Sequence, residues 1–174
     1  LGDLVDDAVD EFQAVAASRR ITLVTELVPS CVVEGDRLAL RQAVANLLHN
    51  AVRLAPEGSR IWLATGTEGP AAWVTVTDEG PGIAEEDRPK VFQRFWRGDQ
   101  KAARAEGRSG LGLAIVAQIV ADHGGSATVA AAPTGGSIFT LWLPLAGTGG
   151  PLDPATGTDL GGDAGAADSQ EPAS

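Results

Sequence analysis

The sequence has no methionine, a single cysteine and no long apolar run. One thiol, Cys31, cannot form an intramolecular disulfide, so a reducing compartment is the simpler expectation. No apolar stretch approaches the roughly 20 residues that a membrane-spanning helix needs, and nothing resembles a signal peptide, so we expect a soluble segment that is not embedded in a membrane. Because the chain starts at Leu1 and lacks methionine altogether, we expect it to be a piece of a longer protein.

Basic residues are scarce and unevenly placed. The chain has 13 lysines and arginines against 23 aspartates and glutamates, which gives a formal net charge of −10 at pH 7. A general nucleic-acid binder carries a basic face, so this composition argues against a nucleic-acid partner. Seven of the basic residues nevertheless lie between Asp87 and Gly110, together with only three acids. They are Arg88, Lys90, Arg94, Arg97, Lys101, Arg104 and Arg108.

The composition also divides the chain into a globular part and a tail. Of the 174 residues 44% are hydrophobic, enough for one sizeable domain, which we assign to residues 1–146. From residue 147 the chain consists mainly of Gly, Pro, Ala, Thr, Ser and Asp, with five acids and no bases. Such a segment cannot bury enough apolar surface to fold, so residues 147–174 are predicted to be a disordered acidic tail.

The stretch from Asp36 to Pro56 is predicted to be the central helix, with Asp36 as its N-cap. At 3.6 residues per turn, one face is apolar and the other carries amides. The apolar face has Leu40, Val44, Leu47, Leu48 and Ala51, and the opposite face has Gln42, Asn46, Asn50 and Arg53. Two interior asparagines weaken a helix by roughly a few tenths of a kcal/mol each, and a solvated face is usually built from Glu, Lys and Arg. This pattern alone leaves a wet surface helix and a ligand-binding helix equally open.

Periodicity and turn residues predict the other elements. We expect helices over residues 1–20, 84–94 and 110–122, the last capped by Ser109, and strands over residues 21–27, 31–34, 60–66, 71–77, 126–132 and 137–145. Residues 98–109 are charged without apolar periodicity and are predicted to form a long loop. Helices with one apolar face and strands that alternate apolar and polar residues imply a two-layer α/β (α+β) sandwich, with helices on one side of a mixed, mostly antiparallel sheet.

Two glycine-rich segments follow apolar elements. Asp78 ends a strand and precedes Glu-Gly-Pro-Gly, so its carboxylate could accept a hydrogen bond from an exocyclic amino group such as that of adenine. An ordinary turn is the alternative. Residues 107–113, GRSGLGL, place glycines at the start of a helix, where free N–H groups favour an anion, although a glycine hinge fits equally well. With the cationic loop before it, a polyphosphate is the natural ligand, and the Asn50 oxygen suits Mg²⁺.

These segments together resemble the ATP-binding catalytic domain of sensor histidine kinases of two-component systems. Residues 46–51, NLLHNA, match its N box, residues 78–82 its first glycine box, residues 91–97 its F box and residues 107–113 its second glycine box. The four motifs occur in the usual order and at the usual intervals, and the resemblance covers roughly residues 1–145.

The resemblance implies a Bergerat-type fold of the superfamily of gyrase B and heat-shock chaperones, with ATP held between the central helix and a flexible lid over about residues 95–109. It assigns Mg²⁺ to Asn50, adenine to Asp78, the base pocket to Gly80 and Gly82, and the phosphate side to Asn46 and Arg53. Other implied nucleotide-binding residues are Ile83, Arg97, Arg108, Ser109, Gly110, Leu111, Gly112 and Leu113. Phe92 and Phe95 are expected to anchor the lid by packing.

The implied reaction is phosphotransfer and not hydrolysis. In related ATPases a glutamate one turn before the magnesium asparagine activates water, whereas Asn46 is neutral and cannot accept the proton. The phosphoacceptor should be a histidine followed by an acid and a Leu-Thr-Pro-like stretch, which neither His49 nor His123 has. We therefore expect both to be structural, and the acceptor to lie in a dimerisation domain before Leu1.

The wider expectations follow from the same resemblance. The parent protein is expected to be a homodimer in the cell membrane, with this domain in the cytoplasm and a response regulator as downstream partner. An ATP-sensing module without phosphotransfer and a serine kinase of the anti-sigma-factor type remain alternatives, although the complete F box argues against the second.

Overall fold

The computed structural model describes residues 1–29, 31–96, 110–133, 135–148 and 150–152. They form a helical layer on one mixed sheet. The elements are helices α1 (Gly2–Ser18), α2 (Arg37–Leu54) and α3 (Gly112–Asp122), a 3₁₀ helix (Glu85–Lys90), and strands β1 (Thr22–Glu26), β2 (Arg60–Glu68), β3 (Ala71–Asp78), β4 (Ser126–Ala131) and β5 (Ser137–Pro144). Their order along the chain follows the prediction.

The sheet has the strand order β1-β2-β3-β5-β4. Strands β1 and β2 are parallel because α2 connects them, and the other three neighbouring pairs are antiparallel. The predicted mixed, mostly antiparallel sheet is therefore confirmed. Asp78, the last residue of β3, pairs with Ile61 of β2 and with Ser137 of β5, which places it in the centre of the sheet at one end.

The core lies between the three helices and one face of the sheet. Alternate strand residues such as Leu63, Val76 and Phe139 point to this face and pack with Leu47 and Leu48 of α2. The predicted apolar face of α2 is thus buried, and the two-layer arrangement is confirmed.

The other face of the sheet carries three tryptophans. Trp73 pairs with Gly66 across β2 and β3, and with Trp142 across β3 and β5. A Cβ atom on Gly66 would lie 2.2 Å from the Trp73 ring, so the aromatic ring covers the place where this glycine has no side chain. Trp62 lies on the same face by strand alternation.

Helix α2 begins and ends as its sequence predicts. Asp36 is the N-cap, and its Oδ1 accepts hydrogen bonds from the backbone N–H groups of Leu38 (2.8 Å) and Ala39 (3.2 Å). At the other end Ala55 is extended, and Pro56 cannot continue a helix because it has no N–H group.

One predicted element is wrong, and another differs in type and length. Residues 31–34 are not a strand: Val33 makes an isolated bridge with Leu145, which lies beyond the end of β5 just before the chain turns away. Residues 84–94 do not form an α-helix, because Pro89 removes a backbone donor; Glu85–Lys90 forms a 3₁₀ helix and turns follow it.

The predicted tail begins at residue 147. The structure describes its first residues, and these contact the domain. The Thr148 N–H donates to Leu145 O at 3.2 Å, and the Leu152 N–H donates to Gly124 O at 2.9 Å. Residues 153–174, which make up most of the predicted tail, lie outside the described residues.

Candidate functional site

The amide face of α2 is not a solvated surface. Asn46 and Asn50 are half-buried, whereas Gln42, two turns nearer the helix start than Asn50, is exposed. The Nδ2 atom of Asn46 is buried and has no hydrogen-bond partner among the described residues. Leaving a buried donor unpaired costs about 1–3 kcal/mol, so this amide group fits an acceptor brought by a ligand. The ligand-binding interpretation of this helix is the one that its burial favours.

Asn50 is oriented by the next turn of its own helix. Arg53 Nη2 donates a hydrogen bond to Asn50 Oδ1 at 2.9 Å. A guanidinium has only donors, so this contact fixes the amide oxygen, and not the amide nitrogen, toward Arg53. A hard carbonyl oxygen beside a buried amide is a suitable single protein ligand for Mg²⁺, which takes most of its other ligands from phosphate and water.

Asp78 lies at the end of β3 and is 2% exposed. Burial raises the pKa of its carboxyl above 3.8, and backbone N–H groups of Gly80 and Ser137 partly offset this effect. The Gly80 N–H donates to Oδ1 at 2.7 Å. A buried carboxylate with one oxygen held by backbone can still accept from the amino group of a base.

The turn after Asp78 is closely packed on three sides. A Cβ on Gly80 would lie 2.6 Å from Asp78 Oδ1 and 3.3 Å from the carbonyl oxygen of Leu54 at the end of α2. Gly82 has φ +73°, and a Cβ there would lie 3.2 Å from Gly136 O. The two glycines therefore allow the end of α2 and the β4–β5 turn to approach Asp78.

Sequence reasoning missed Gly136. Its φ is +93°, and a Cβ atom there would lie 1.9 Å from Asp78 O, so only glycine fits. The double glycine at 135–136 lies between the predicted strands 126–132 and 137–145, where its local pattern indicates only a turn. Its contact with Asp78 follows from the pairing of Ser137 with Asp78, which no local pattern reveals.

Helix α3 packs along α2, and its end meets the start of α2. His123, just after α3, accepts a hydrogen bond from the Asp36 N–H at 3.0 Å, so the two helices run antiparallel. At 1.5 Å per residue, an α3 of 11 residues extends along α2 for a length that ends at about Leu47. By this geometric estimate, the glycine-rich start of α3 falls near the turn of α2 that carries Asn46.

Helix α3 begins at Gly112, two residues later than predicted. Its N-cap position is held by Leu111, whose side chain has no acceptor for the first N–H groups. Gly112 is the first helical residue, and Leu113 packs against the core. The predicted cap Ser109 lies outside the described residues, as do Arg97 and Arg108.

The F box is anchored by one of the two predicted phenylalanines. Phe92 packs edge-on against Phe139, with ring centroids 6.2 Å apart and an interplanar angle of 88°. The prediction for Phe95 is wrong: it is 69% exposed, with φ +62°, so it does not pack inward. Its N–H donates to Gly110 O at 3.0 Å, which joins the two ends of the segment predicted to be a lid. Trp96 and Ile83 pack against the core from this side.

His123 supports the fold through hydrogen bonds, and His49 lies at the surface. His123 Nε2 accepts from Asp36, while Nδ1 lies 2.7 Å from Ile119 O, which together fit a neutral ring with the proton on Nδ1. His49 is exposed on α2. A cavity of about 530 Å³ beside His123 is lined by Glu34 and Asp122. It lies at the start of α2 and the end of α3, whereas Asn50 is near the end of α2 and Gly110 precedes α3.

The site therefore suits an anionic ligand with a flat base. Asn46 and Asn50 lie on α2, whose last residue, Leu54, approaches the glycine turn that follows Asp78. Among the residues that the structure describes, no group of three or more His, Cys, Asp and Glu side chains is arranged to hold a metal ion.

Comparison with known proteins identifies relatives of this chain. Residues 35–147 match the family described as histidine kinase-, DNA gyrase B-, and HSP90-like ATPase. Sensor-like histidine kinase SenX3 of Mycobacterium tuberculosis is 41% identical over 141 residues, which are 81% of this chain. The chain spans 34% of the length of SenX3.

Solved structures share the fold. Mycobacterial sensor histidine kinase MprB has a TM-score of 0.73 and 34% identity, over 86% of this chain and 96% of that one. Full-length ShkA in complex with AMPPNP has a TM-score of 0.72 and 27% identity, over 87% of this chain and 31% of that one. Across the described ranges, no helix has the length and apolar character needed to cross a membrane.

Proposed function

Since the chain belongs to the family of histidine kinase-, DNA gyrase B-, and HSP90-like ATPases and is an ATP-binding catalytic domain of the sensor histidine kinase type, we propose that it binds Mg²⁺-ATP and donates the γ-phosphate to a histidine. That histidine would belong to a dimerisation domain of the same protein. A response regulator would then receive the phosphate, in a homodimeric membrane protein whose catalytic domain faces the cytoplasm.

The observation that supports this proposal is the buried, unpaired Asn46 Nδ2 on the face of α2 that also carries Asn50, on a helix whose end packs beside the turn after Asp78. Asp78 would accept a hydrogen bond from the adenine amino group. Gly80 and Gly82 would shape the base pocket, because they allow the end of α2 and the β4–β5 turn to approach Asp78. The Asn46 Nδ2–H, buried and without a partner in the described part of the chain, would donate to a phosphate oxygen. The N-terminal N–H groups of α3 would face the phosphates, where the helix dipole favours negative charge.

Mg²⁺ bound at Asn50 Oδ1 would supply charge neutralisation of the triphosphate. The residues of this chain would orient the γ-phosphate for in-line attack, which is the main protein contribution to phosphoryl transfer. Arg53 would pair with a phosphate from the same face of α2. Arg97, Arg108 and Ser109, outside the described residues, are assigned to the phosphate side by resemblance alone.

Asn46 supports transfer to a protein side chain over hydrolysis. A carboxamide is neutral and cannot take a proton from water, so bound ATP would persist until another nucleophile arrives. Neither histidine of this chain is suitable, because neither is followed by the acid and the Leu-Thr-Pro-like stretch expected after a phosphoacceptor. His123 is also bonded to Asp36 and Ile119.

The test has a binding step and a transfer step. The chain is titrated with ATP with and without Mg²⁺, and then incubated with γ-labelled ATP and a separately produced histidine-bearing helical domain of a relative. We expect Mg²⁺-dependent binding and acid-labile phosphate on that domain. Binding without transfer would indicate an ATP-sensing module, an acid-stable product would indicate a serine kinase, and absence of binding would reject the proposal.

A further inference from the structure

We propose that Arg19, the residue that follows α1, is a positioning residue for the metal ligand Asn50. Its guanidinium holds the last turn of α2, the turn that follows Asn50 and contains Arg53. This inference rests on the proposed Mg²⁺-ATP binding, and the experiment below separates the two. Arg19 belongs to none of the four sequence motifs.

The contact between Arg19 and α2 involves three backbone carbonyls. Nη1 donates to Val52 O and, at 2.9 Å, to Arg53 O, and Nη2 donates to Ala55 O at 3.3 Å. The guanidinium is planar and presents several donors in a fixed geometry, so bonds to three carbonyls restrain their relative positions.

The end of α2 needs such a partner. Within a helix, Val52 O would accept from the N–H four residues later, but that residue is Pro56, which has none. Arg53 O also has no helical partner because the chain is extended at Ala55. Arg19 therefore supplies the donors that the sequence of α2 omits, and it brings a positive charge to the negative end of the helix dipole.

This helix end is part of the nucleotide site. Asn50 and Arg53 lie on its last turns. A Cβ atom added to Gly80 would lie 3.3 Å from Leu54 O, so the end of α2 lies close to the turn that contains Gly80. A shift of the last turn would therefore move the metal ligand and the base pocket together. The carboxamide oxygen must be placed within a fraction of an ångström to complete an octahedral metal shell.

The neighbouring Arg20 provides a matched control. The turn after α1 packs against the turn after α2, where the Gly58 N–H donates to Arg19 O at 3.3 Å. Arg20 also contacts this turn, through an ion pair of 2.8 Å with Glu57, but both side chains are more than half exposed and touch no carbonyl of α2 in the described structure. Removal of Arg20 deletes the same charge without affecting the helix end.

The experiment compares Arg19→Met, Arg19→Lys and Arg20→Met with the wild-type chain 1–174. Calorimetric titration with AMPPNP, in Mg²⁺ and in EDTA, gives the factor by which Mg²⁺ increases affinity. We expect Arg19→Met to reduce this factor by about tenfold, as is typical for loss of a group that supports a metal ligand. Arg19→Lys, which can bond one carbonyl at a time, should lie between, and Arg20→Met should match the wild type.

A second measurement does not depend on nucleotide. Amide hydrogen exchange of a peptide covering residues 50–55 should be faster in Arg19→Met than in Arg20→Met. Where Arg19→Met does not fold, Arg19→Lys decides both measurements. An unchanged Mg²⁺ factor in folded Arg19 variants would overturn the inference even if their Tm falls, whereas a wild-type chain that binds no AMPPNP would reject the proposed function itself.

Discussion

Arg53 Nη2 lies 2.9 Å from Asn50 Oδ1, the oxygen that the proposed function gives to Mg²⁺. The guanidinium thus places a positive charge beside the metal-binding oxygen. The carbonyl oxygen has two lone pairs and could contact both the guanidinium and Mg²⁺. Because these two cations would repel each other, we expect Arg53 to turn toward the phosphates when the metal binds. The two residues are therefore expected to contribute to nucleotide affinity in different ways.

Asn50→Ala should abolish the effect of Mg²⁺ on ATP affinity while the fold is kept. The side chain is only half-buried and its amide is not part of the core, so the free energy of unfolding should change by about 1 kcal/mol or less. Titration with ATP in Mg²⁺ and in EDTA measures the effect, and Gln42→Ala on the exposed part of α2 is the control. An Mg²⁺ effect equal to that of the wild type would remove Asn50 from the metal site.

Arg53→Met should weaken ATP binding even in EDTA. A charged hydrogen bond contributes about 1.5–3 kcal/mol, so affinity should fall by about tenfold or more where the metal is absent. Arg41→Met is the control, because Arg41 also lies on α2 but pairs with Glu11 at the surface. The same loss in both variants would mean that general charge, and not a phosphate contact, determines affinity.

Asp78→Asn should separate binding from stability. An amide can still accept from the Gly80 N–H, but its nitrogen cannot accept from adenine, so ATP affinity should fall roughly 10- to 100-fold. Since burial raises the folded-state pKa of Asp78, the contribution of Asp78 to the stability of the wild type falls as pH rises from about 3.8 through that pKa. The variant lacks this loss.

The measurement for this prediction is urea unfolding of both proteins from pH 3 to pH 8. The unfolding free energy of Asp78→Asn relative to wild type should increase with pH across that interval and then stay constant. A difference that decreases over the same interval would mean that the carboxylate is stabilised, and not destabilised, by its surroundings.

Local signals were sufficient for the elements that depend on neighbours in sequence. The residue type of Asp36 and the helical pattern after it predict the N-cap that the structure shows. The two glycines after Asp78 predict that the strand ends there, as β3 does. The 3₁₀ helix was also accessible to sequence reasoning, because Pro89 lies inside the stretch predicted to be α-helical.

Other features depend on contacts between distant segments. Gly136 is required by the pairing of β3 with β5, and Arg19 reaches the end of α2 across more than thirty residues. Residues 31–34 are mostly apolar, as a buried strand is, but within the described ranges they make a single isolated bridge, from Val33 to Leu145. Phe95 is a large apolar residue of the kind that usually packs inward. The backbone is left-handed at this position, however, and the side chain is exposed.

Gly110 and Gly112 should respond oppositely to replacement by alanine. Gly110 has φ +65°, and a Cβ there would lie 3.0 Å from Trp96 O, so Gly110→Ala should destabilise the fold by about 1–3 kcal/mol. Gly112 is helical, and no atom of the described residues lies within 4 Å of an added Cβ, so Gly112→Ala should keep or raise Tm.

ATP titration completes the comparison of the two glycines. Because phosphates are proposed to approach the start of α3, Gly112→Ala should lower ATP affinity although the protein is as stable as the wild type. Full affinity in Gly112→Ala would show that the phosphates lie farther from this turn than proposed.

The fluorescence response to ATP should come from Trp96. Of the four tryptophans, Trp62, Trp73 and Trp142 lie on the face of the sheet away from the helices, whereas Trp96 packs against the core next to Gly110. Binding of a nucleotide beside α3 should therefore change the surroundings of Trp96 most. Trp96→Phe should lose the ATP-dependent change in emission, and Trp62→Phe should keep it. If the change in emission persists in Trp96→Phe at saturating ATP, it must come from the tryptophans on the sheet face away from the helices. The nucleotide would then bind elsewhere.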